Sequence, residues 1–410
     1  MPDLTPFKGI RYSSASRLAD LVCPPFDVIS EAEQERLHRL DPHNAIHLEL
    51  PQKDDTGSGY QAVGEIFSRW MEEGVLHADP VESLYVYRQD FTAPDGVRRR
   101  RVAGVIGALR LEPFGTDSGV LPHERTMPGP KEDRLALMRA APVNFSPIYA
   151  IYRGGGGLAP YLDALEHRPP AARFVGSEEI LHRCWVIDAP AEVAMLGDAL
   201  REGPLVIADG HHRYETALAF QQERPDLPGA GTIMCFCVDA DHEEIVVLPY
   251  NRVVRGSATA GNLERAARER FGARSVTVED AAGLVASATA DHVFAVILAD
   301  EALLIELSDA DVQKQLAGHA AAWRNLSVVV LHEVVLPELF PEGIDELSFS
   351  RDASEVQALV QQEGWTAGVL LKAVEPREIV DVAASGERMP QKASYFWPKA
   401  ITGLVFHALH

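Results

Sequence analysis

Apolar residues fall in short blocks along the whole chain, some at the two-residue period of strands and some at the 3.6-residue period of helices, and this alternation predicts a mixed α/β protein. Residues 60–73 set Ala62, Val63, Ile66, Phe67 and Trp70 on one helical face and stop at Gly74. Residues 84–87 and 102–111 flank Pro94-Asp95-Gly96 and predict an antiparallel hairpin, and residues 233–238 with 245–249 predict another. Residues 45–50 alternate Ile46, Leu48 and Leu50 against His47 and Glu49, which predicts a strand with those two polar side chains on one face. Ser30 precedes a helix starting at Glu31, and Glu33 at its third position predicts a capping box.

Three polar clusters interrupt this pattern. The first lies in 203–220, where Leu205, Val206 and Ile207 form a core strand and Tyr214, Ala217, Leu218 and Phe220 recur at helical spacing. Between them stand Asp209, Gly210, His211, His212 and Arg213. Asp209 is placed to cap the helix, Gly210 lets backbone approach a ligand, and the first-turn N–H groups with Arg213 suit an anion such as a phosphate. Asp209 and His211 can share a strand face as metal ligands, but adjacent histidines diverge, and phosphate or nucleotide is the favoured ligand.

The second cluster is the glycine- and proline-rich run 122–134, leading into an amphipathic helix over 135–140. Closed over a ligand, it offers Lys131 and Arg134 as positive charge and Glu124 or Asp133 as a carboxylate; a solvated loop with internally paired charges has the same composition. The third is the tail 386–403, in which Tyr395, Phe396 and Trp397 stand between Lys392 and Lys399. It reads either as a stacking surface for a base or as a terminal segment docked on the core.

Composition narrows the function classes. The chain has 410 residues, enough for two or three domains, and 60 acidic against 38 basic residues give a net charge of −22. That balance opposes general nucleic-acid binding and polybasic membrane attachment. Four scattered cysteines, with Cys235 and Cys237 on one face of a strand, suit buried thiols rather than a disulfide framework. With no signal-like start and no long apolar run, a soluble cytoplasmic protein is expected. A shift to Gly, Ser, Ala and Thr at 255–262 suggests a catalytic or nucleotide-binding domain over 1–254, a supporting α/β domain over 255–345 and a C-terminal segment over 346–410 that contributes to the site. Oligomeric state is left open.

Five phrases extend from end to end: Pro24-Pro25-Phe26-Asp27-Val28-Ile29; Pro122-His123-Glu124-Arg125-Thr126 with Lys131 and Asp133-Arg134; Ser146-Pro147-Ile148; Ile207-Ala208-Asp209-Gly210-His211-His212-Arg213-Tyr214; and Met389-Pro390-Gln391-Lys392 through Pro398-Lys399. On these phrases the chain resembles the DUF1015 family, with Phe26 and Trp397 where tyrosine is common. The central phrase is also similar to the Gly-x-x-Arg signature of the ParB/sulfiredoxin superfamily. That resemblance implies a small mixed sheet packed with helices, a glycine-led helix N-terminus that holds nucleotide phosphates, and relatives that include free-serine kinases. His211 stands where sulfiredoxin carries its reactive cysteine, so sulfinic acid reduction is not implied.

Together these readings lead to an expected nucleotide-dependent phosphotransferase on a small polar metabolite, with free serine as a candidate, using ATP or another nucleoside triphosphate with Mg²⁺. Gly210, His211, Arg213, Arg134, Lys392 and Lys399 are expected to hold nucleotide or phosphate. Glu124, Asp209, His212 and Lys131 are the expected catalytic groups. His123, Thr126, His47, Glu49 and Asp27 are expected to wall the substrate, with Asp209 and Glu49 as Mg²⁺ ligands. Two other classes fit the same residues. One is a nucleotide-binding regulatory NTPase switch, and the other is a metal-assisted hydrolase built on His123, Glu124, Asp209 and His211.

Overall fold

The computed structural model describes residues 1–52, 59–94, 96, 98–115, 118–124 and 128–410, with the backbone alone at 128–130. The chain divides into two compact units. The first comprises residues 1–122, 126–246 and 398–410, and the second 123–125 and 247–397.

In the first unit a nine-stranded mixed sheet is built from β1 (Leu4–Thr5), β2 (Leu84–Thr92), β3 (Arg99–Arg110), β4 (Val120–Pro122), β5 (Ile148–Tyr152), β6 (Ala172–Val175), β7 (Leu181–Ile187), β8 (Leu205–Asp209) and β9 (Thr232–Asp239). The spatial order is β4-β8-β5-β9-β3-β2-β7-β6, with β1 on β3. β2 and β3 form the hairpin that the 94–96 turn predicts, with Tyr85 opposite Ile106. The second expected hairpin does not form. β9 instead pairs antiparallel with β3 and parallel with β5, and Met234, Cys235, Phe236 and Val238 are fully buried, so the apolar run is a central strand rather than a hairpin arm. All four cysteines are free and buried, and the sulfurs of Cys235 and Cys237 lie 3.5 Å apart on one strand face.

Five helices of this unit bear on the site: α1 (Glu31–Leu40), α2 (Ile46–Glu49), α3 (Val63–Glu72), α4 (Pro128–Ala140) and α5 (His211–Glu223). Ser30 accepts from the Glu33 N–H, but the Glu33 carboxylate pairs with Arg36 rather than completing the box. Residues 45–50 are not a strand. They form α2, entered through Asn44, whose side chain accepts from the Ile46 N–H and donates to the carbonyls of Asp20 and Val22. The helical turn separates the two polar residues: His47 meets His38 and the Asp41 carbonyl, whereas Glu49 meets Ser146. Two-residue alternation over so short a run also fits one helical turn, and the asparagine side-chain bonds decide for the helix. α4 begins at Pro128, earlier than the expected 135–140.

The C-terminal residues pack back on this unit. Thr402 and Cys23 exchange backbone hydrogen bonds, as do Phe406 and Ile10, and His407–Ala408 pairs with Val143–Asn144. The fully buried Gln89 donates to the Lys399 carbonyl at 2.9 Å. These bonds fix the backbone from which the Lys399 side chain starts.

The second unit holds an antiparallel six-stranded sheet of β10 (Asn251–Arg255), β11 (Arg274–Val276), β12 (His292–Ile297), β13 (Ala302–Leu307), β14 (Glu346–Ser350) and β15 (Ala367–Leu371), in the order β11-β13-β12-β15-β10-β14. Its core joins Val253, Val293, Ala295, Ile297 and Leu304 to helix residues Ala281, Val285, Val356 and Val360. Among the described residues, no helix is long and apolar enough to cross a membrane.

Candidate functional site

The strand-to-helix corner forms as the apolar pattern predicts. Leu205 and Ile207 of β8 share one core with Tyr214, Ala217 and Phe220 of α5, and each large side chain so buried contributes about 1.5–3 kcal/mol. Tyr214 is tied down further, its hydroxyl donating to the Glu112 carbonyl and accepting from the Glu112 N–H. The helix cap position is taken by Gly210 rather than Asp209. Gly210 has φ +92°. A Cβ there would also stand 2.8 Å from Ile148 Cγ2 and 3.1 Å from the Arg213 guanidinium, so both conformation and space require glycine.

Asp209 holds two cations. Its Oδ2 accepts from Arg213 Nη2 at 2.7 Å, and its Oδ1 pairs with Lys399 Nζ. The three side chains are only 10–13% exposed. Arg213 Nη1 donates onward to the Pro147 carbonyl at 2.6 Å and to Ser146 Oγ at 3.1 Å, and Ser146 donates to Glu49 Oε1 at 3.1 Å. The Glu49 carboxylate lies 3.9 Å from Arg134, whose Nη1 also donates to the Glu49 carbonyl. A continuous polar chain thus runs Lys399, Asp209, Arg213, Ser146, Glu49, Arg134.

Arg134 is almost entirely buried, stacked over the Phe26 ring at 4.1 Å and bonded to Asp133 and Tyr60. Burial disfavours its charge, but Glu49, Tyr60 and Asp133 outweigh that and keep the guanidinium ionised. Burial likewise pushes the Tyr60 hydroxyl up to about 12, so it acts as a neutral hydrogen-bonding group at ordinary pH. Beside this chain lies a cavity of about 40 Å³ lined by Glu49, Arg134, Asn144, Ser146, Arg213 and Thr216 among others. That volume suits a water molecule and excludes a nucleotide, so a nucleotide on this unit needs the outer face of the turn.

The other expected residues divide between the two units. In the first, Lys131 Nζ pairs with Glu215 at 2.7 Å, His211 is buried, His212 is half-buried and Asp27 is exposed. In the second, buried His123 meets Ser394 Oγ at 3.1 Å and Glu124 bridges to Met389, while Lys392 lies over the Tyr250 ring at 5.4 Å. Thr126 lies outside the described residues. Both Asp209 oxygens face a cation, and among the described residues no three His, Cys, Asp or Glu side chains gather as metal ligands. Asp209 and Glu49 therefore do not fit a resident Mg²⁺ as they stand.

Ser146, Pro147 and Tyr60 are participants to which the sequence reading assigns no role. Ser146-Pro147 does stand out as one of the end-to-end phrases, which is the available signal; Tyr60, at a helix start, carries none.

Among solved structures the chain is similar to SbnI with a C-terminal truncation from Staphylococcus aureus, at 12% identity and a TM-score of 0.39, over 72% of this chain and 85% of that one. It is also similar to a free serine kinase variant in complex with AMP, at 13% identity and a TM-score of 0.35, over 72% and 87% of the two chains. A conserved hypothetical protein from Pyrococcus furiosus matches at 13% identity and a TM-score of 0.34, over 71% and 94%. No curated protein matches the chain. The family profile described as "Protein of unknown function (DUF1015)" matches residues 4–329, and the chain belongs to that family.

Proposed function

We propose that the Asp209–Gly210 turn is the phosphate-handling centre of a nucleotide-dependent phosphotransferase acting on a small polar metabolite, with free serine the first acceptor to try. The observation that carries this reading is the Lys399–Asp209–Arg213 ion set at the N-terminus of a thirteen-residue helix, across a glycine that admits no side chain. A helix N-terminus and two cations suit an anion, and phosphoryl transfer asks mainly for positioning and charge stabilisation.

In this mechanism the phosphates of ATP or another nucleoside triphosphate lie along Gly210, His211, His212 and Arg213. They compete with Asp209 for Lys399. As the ammonium turns to the phosphate, Asp209 is left to accept the proton of the acceptor hydroxyl. The hydroxyl oxygen attacks the terminal phosphorus, the bond from that phosphorus to the bridging oxygen breaks, and the nucleoside diphosphate departs with the electron pair. Lys131, 34% exposed and held by one carboxylate, is free enough to swing toward developing charge, whereas Arg134 serves by fixing α2 through Glu49. Thr126, His47, Glu49 and Asp27 remain the proposed acceptor wall. No step is routed through Mg²⁺, which would arrive with the nucleotide.

The test is thermal unfolding with nucleoside di- and triphosphates and Mg²⁺, followed by ³¹P NMR with serine. Ligand at 100 times its dissociation constant stabilises by about 2.7 kcal/mol, and Lys399→Met and Arg213→Lys should each remove most of that. The same stabilisation in both variants, or none in the parent, would overturn the reading. Phosphate appearing only in water would replace the kinase by the regulatory NTPase.

A further inference from the structure

The second unit buries a positive charge with which, among the described residues, no carboxylate pairs. Arg252, on β10, is wholly buried and lies across the strand pair from Phe349, over whose ring its guanidinium sits at 5.0 Å. Its Nε donates to His332 Nε2 at 3.0 Å, its Nη1 to the Tyr250 carbonyl, and its Nη2 reaches the Gln391 carbonyl at 3.5 Å. All three acceptors are neutral; His332, accepting at Nε2, carries its proton on Nδ1. His332 belongs to a π-helical turn, Leu331–Val335, a local irregularity that often marks functional positions.

Two further cations lie over neighbouring rings, Tyr250 being 6.3 Å from Phe349. Lys392 lies over the Tyr250 ring at 5.4 Å, Arg351 over the Tyr395 ring at 4.1 Å, and the two rings meet edge-on at 5.7 Å. Lys392 and Arg351 are exposed. Among the described residues no carboxylate stands within ion-pair distance of Arg252, Arg351 or Lys392. This stands out in a chain with 60 acidic residues against 38 basic ones. Lys392 also has φ +54°, one of three described non-glycine residues in the left-handed region, and such strain persists where a side chain must be presented in one direction.

A buried charge is ordinarily paired, because an unpaired one is costly to desolvate. We propose that this cluster is a site for a phosphate group, free or carried on a small metabolite. Lys392 and Arg351 contact the anion. Arg252 has no exposed surface; it contributes its charge from the interior and holds residue 391, and so the Lys392 backbone, through the Gln391 carbonyl. A carboxylate would offset one of the three charges, whereas a phosphate dianion offsets two.

The experiment follows the melting temperature of the full chain in inorganic phosphate against chloride at matched ionic strength. Phosphate should raise it, and Lys392→Met and Arg351→Gln, both surface changes, should each weaken phosphate binding at least tenfold. Arg252→Met should melt no lower than the parent in chloride and lose the response to phosphate. Lys399→Met, at the other unit's site, should keep it. The proposal falls if the parent shows no response, if Lys392→Met and Arg351→Gln bind phosphate like the parent, or if Lys399→Met alone abolishes binding. Phosphoserine and AMP in parallel distinguish the sources: tighter binding of either identifies an esterified phosphate, and equal or weaker binding identifies the free ion.

Discussion

Both units gather cations around a bend in the chain, but they compensate them differently. In the first, Asp209 answers Lys399 and Arg213, and Glu49 stands near Arg134. In the second, among the described residues, Arg252, Arg351 and Lys392 each meet a different ring, and Arg252 adds carbonyls and an imidazole rather than a carboxylate. The contrast separates two ways of preparing for an anion. A paired set is stable without ligand and must exchange a partner when one arrives, whereas an unpaired set is destabilised until its ligand comes.

The largest test of that contrast is to delete the central charge in each unit. Asp209→Ala leaves two largely buried cations facing each other and should cost about 3–5 kcal/mol, read as a drop in the unfolding midpoint. Arg252→Met replaces an uncompensated charge by an apolar chain of similar length and should be neutral or stabilising. Equal losses from the two variants would erase the distinction.

Acid separates the units less sharply. Burial pushes His182 and His407 in the first unit, and His332 in the second, down to about 4; at His332 the Arg252 charge adds to burial. A folded value below the unfolded one, about 6.5, means the unfolded chain binds the extra proton more readily. The stability these groups contribute is therefore complete above pH 6.5 and is lost as pH falls toward 4, by about 3 kcal/mol per histidine at the acid end. In Arg252→Met the His332 value should rise yet stay below 6.5, because burial is the larger cause. Histidine ring shifts followed by NMR against pH check both statements.

Gly210→Ala should cost about 2–3 kcal/mol, combining the left-handed penalty with the close approach to Ile148 and Arg213. A loss below about 1 kcal/mol would mean that the turn relaxes freely and that glycine serves only the ligand. Circular dichroism melts of the variant and parent measure it.

How far the sequence discloses these sites depends on the range of the interactions. The β8–α5 corner is legible because strand period, glycine and helix period follow one another within eighteen residues. α2 is not: one turn of helix and three alternating residues have the same pattern, and the deciding bonds from Asn44 reach back to residues 20 and 22. The partner of Asp209 is 190 residues away, so Lys399 can be suspected from its motif but not paired from it. Arg252 gives no signal at all. It stands as one of two arginines in an ordinary strand, and what makes it unusual is that, among the described residues, no carboxylate pairs with it.

The smallest effect probes the middle of the polar chain. Ser146 is the one side chain that both accepts from Arg213 and donates to Glu49. Ser146→Ala removes two hydrogen bonds without removing a charge: Arg213 keeps Asp209 and the Pro147 carbonyl, and Glu49 keeps Arg134 at 3.9 Å. The expected cost is about 1 kcal/mol, well below that of Asp209→Ala. Its value lies in the double-mutant cycle with Asp209→Asn. If Arg213 transmits position along the chain, the two losses should be non-additive by at least about 0.5 kcal/mol, as for residues in one hydrogen-bonded network. Strict additivity would mean that the Asp209 ion set stands alone, and that α2 and Arg134 are scaffold rather than part of the phosphate-handling site.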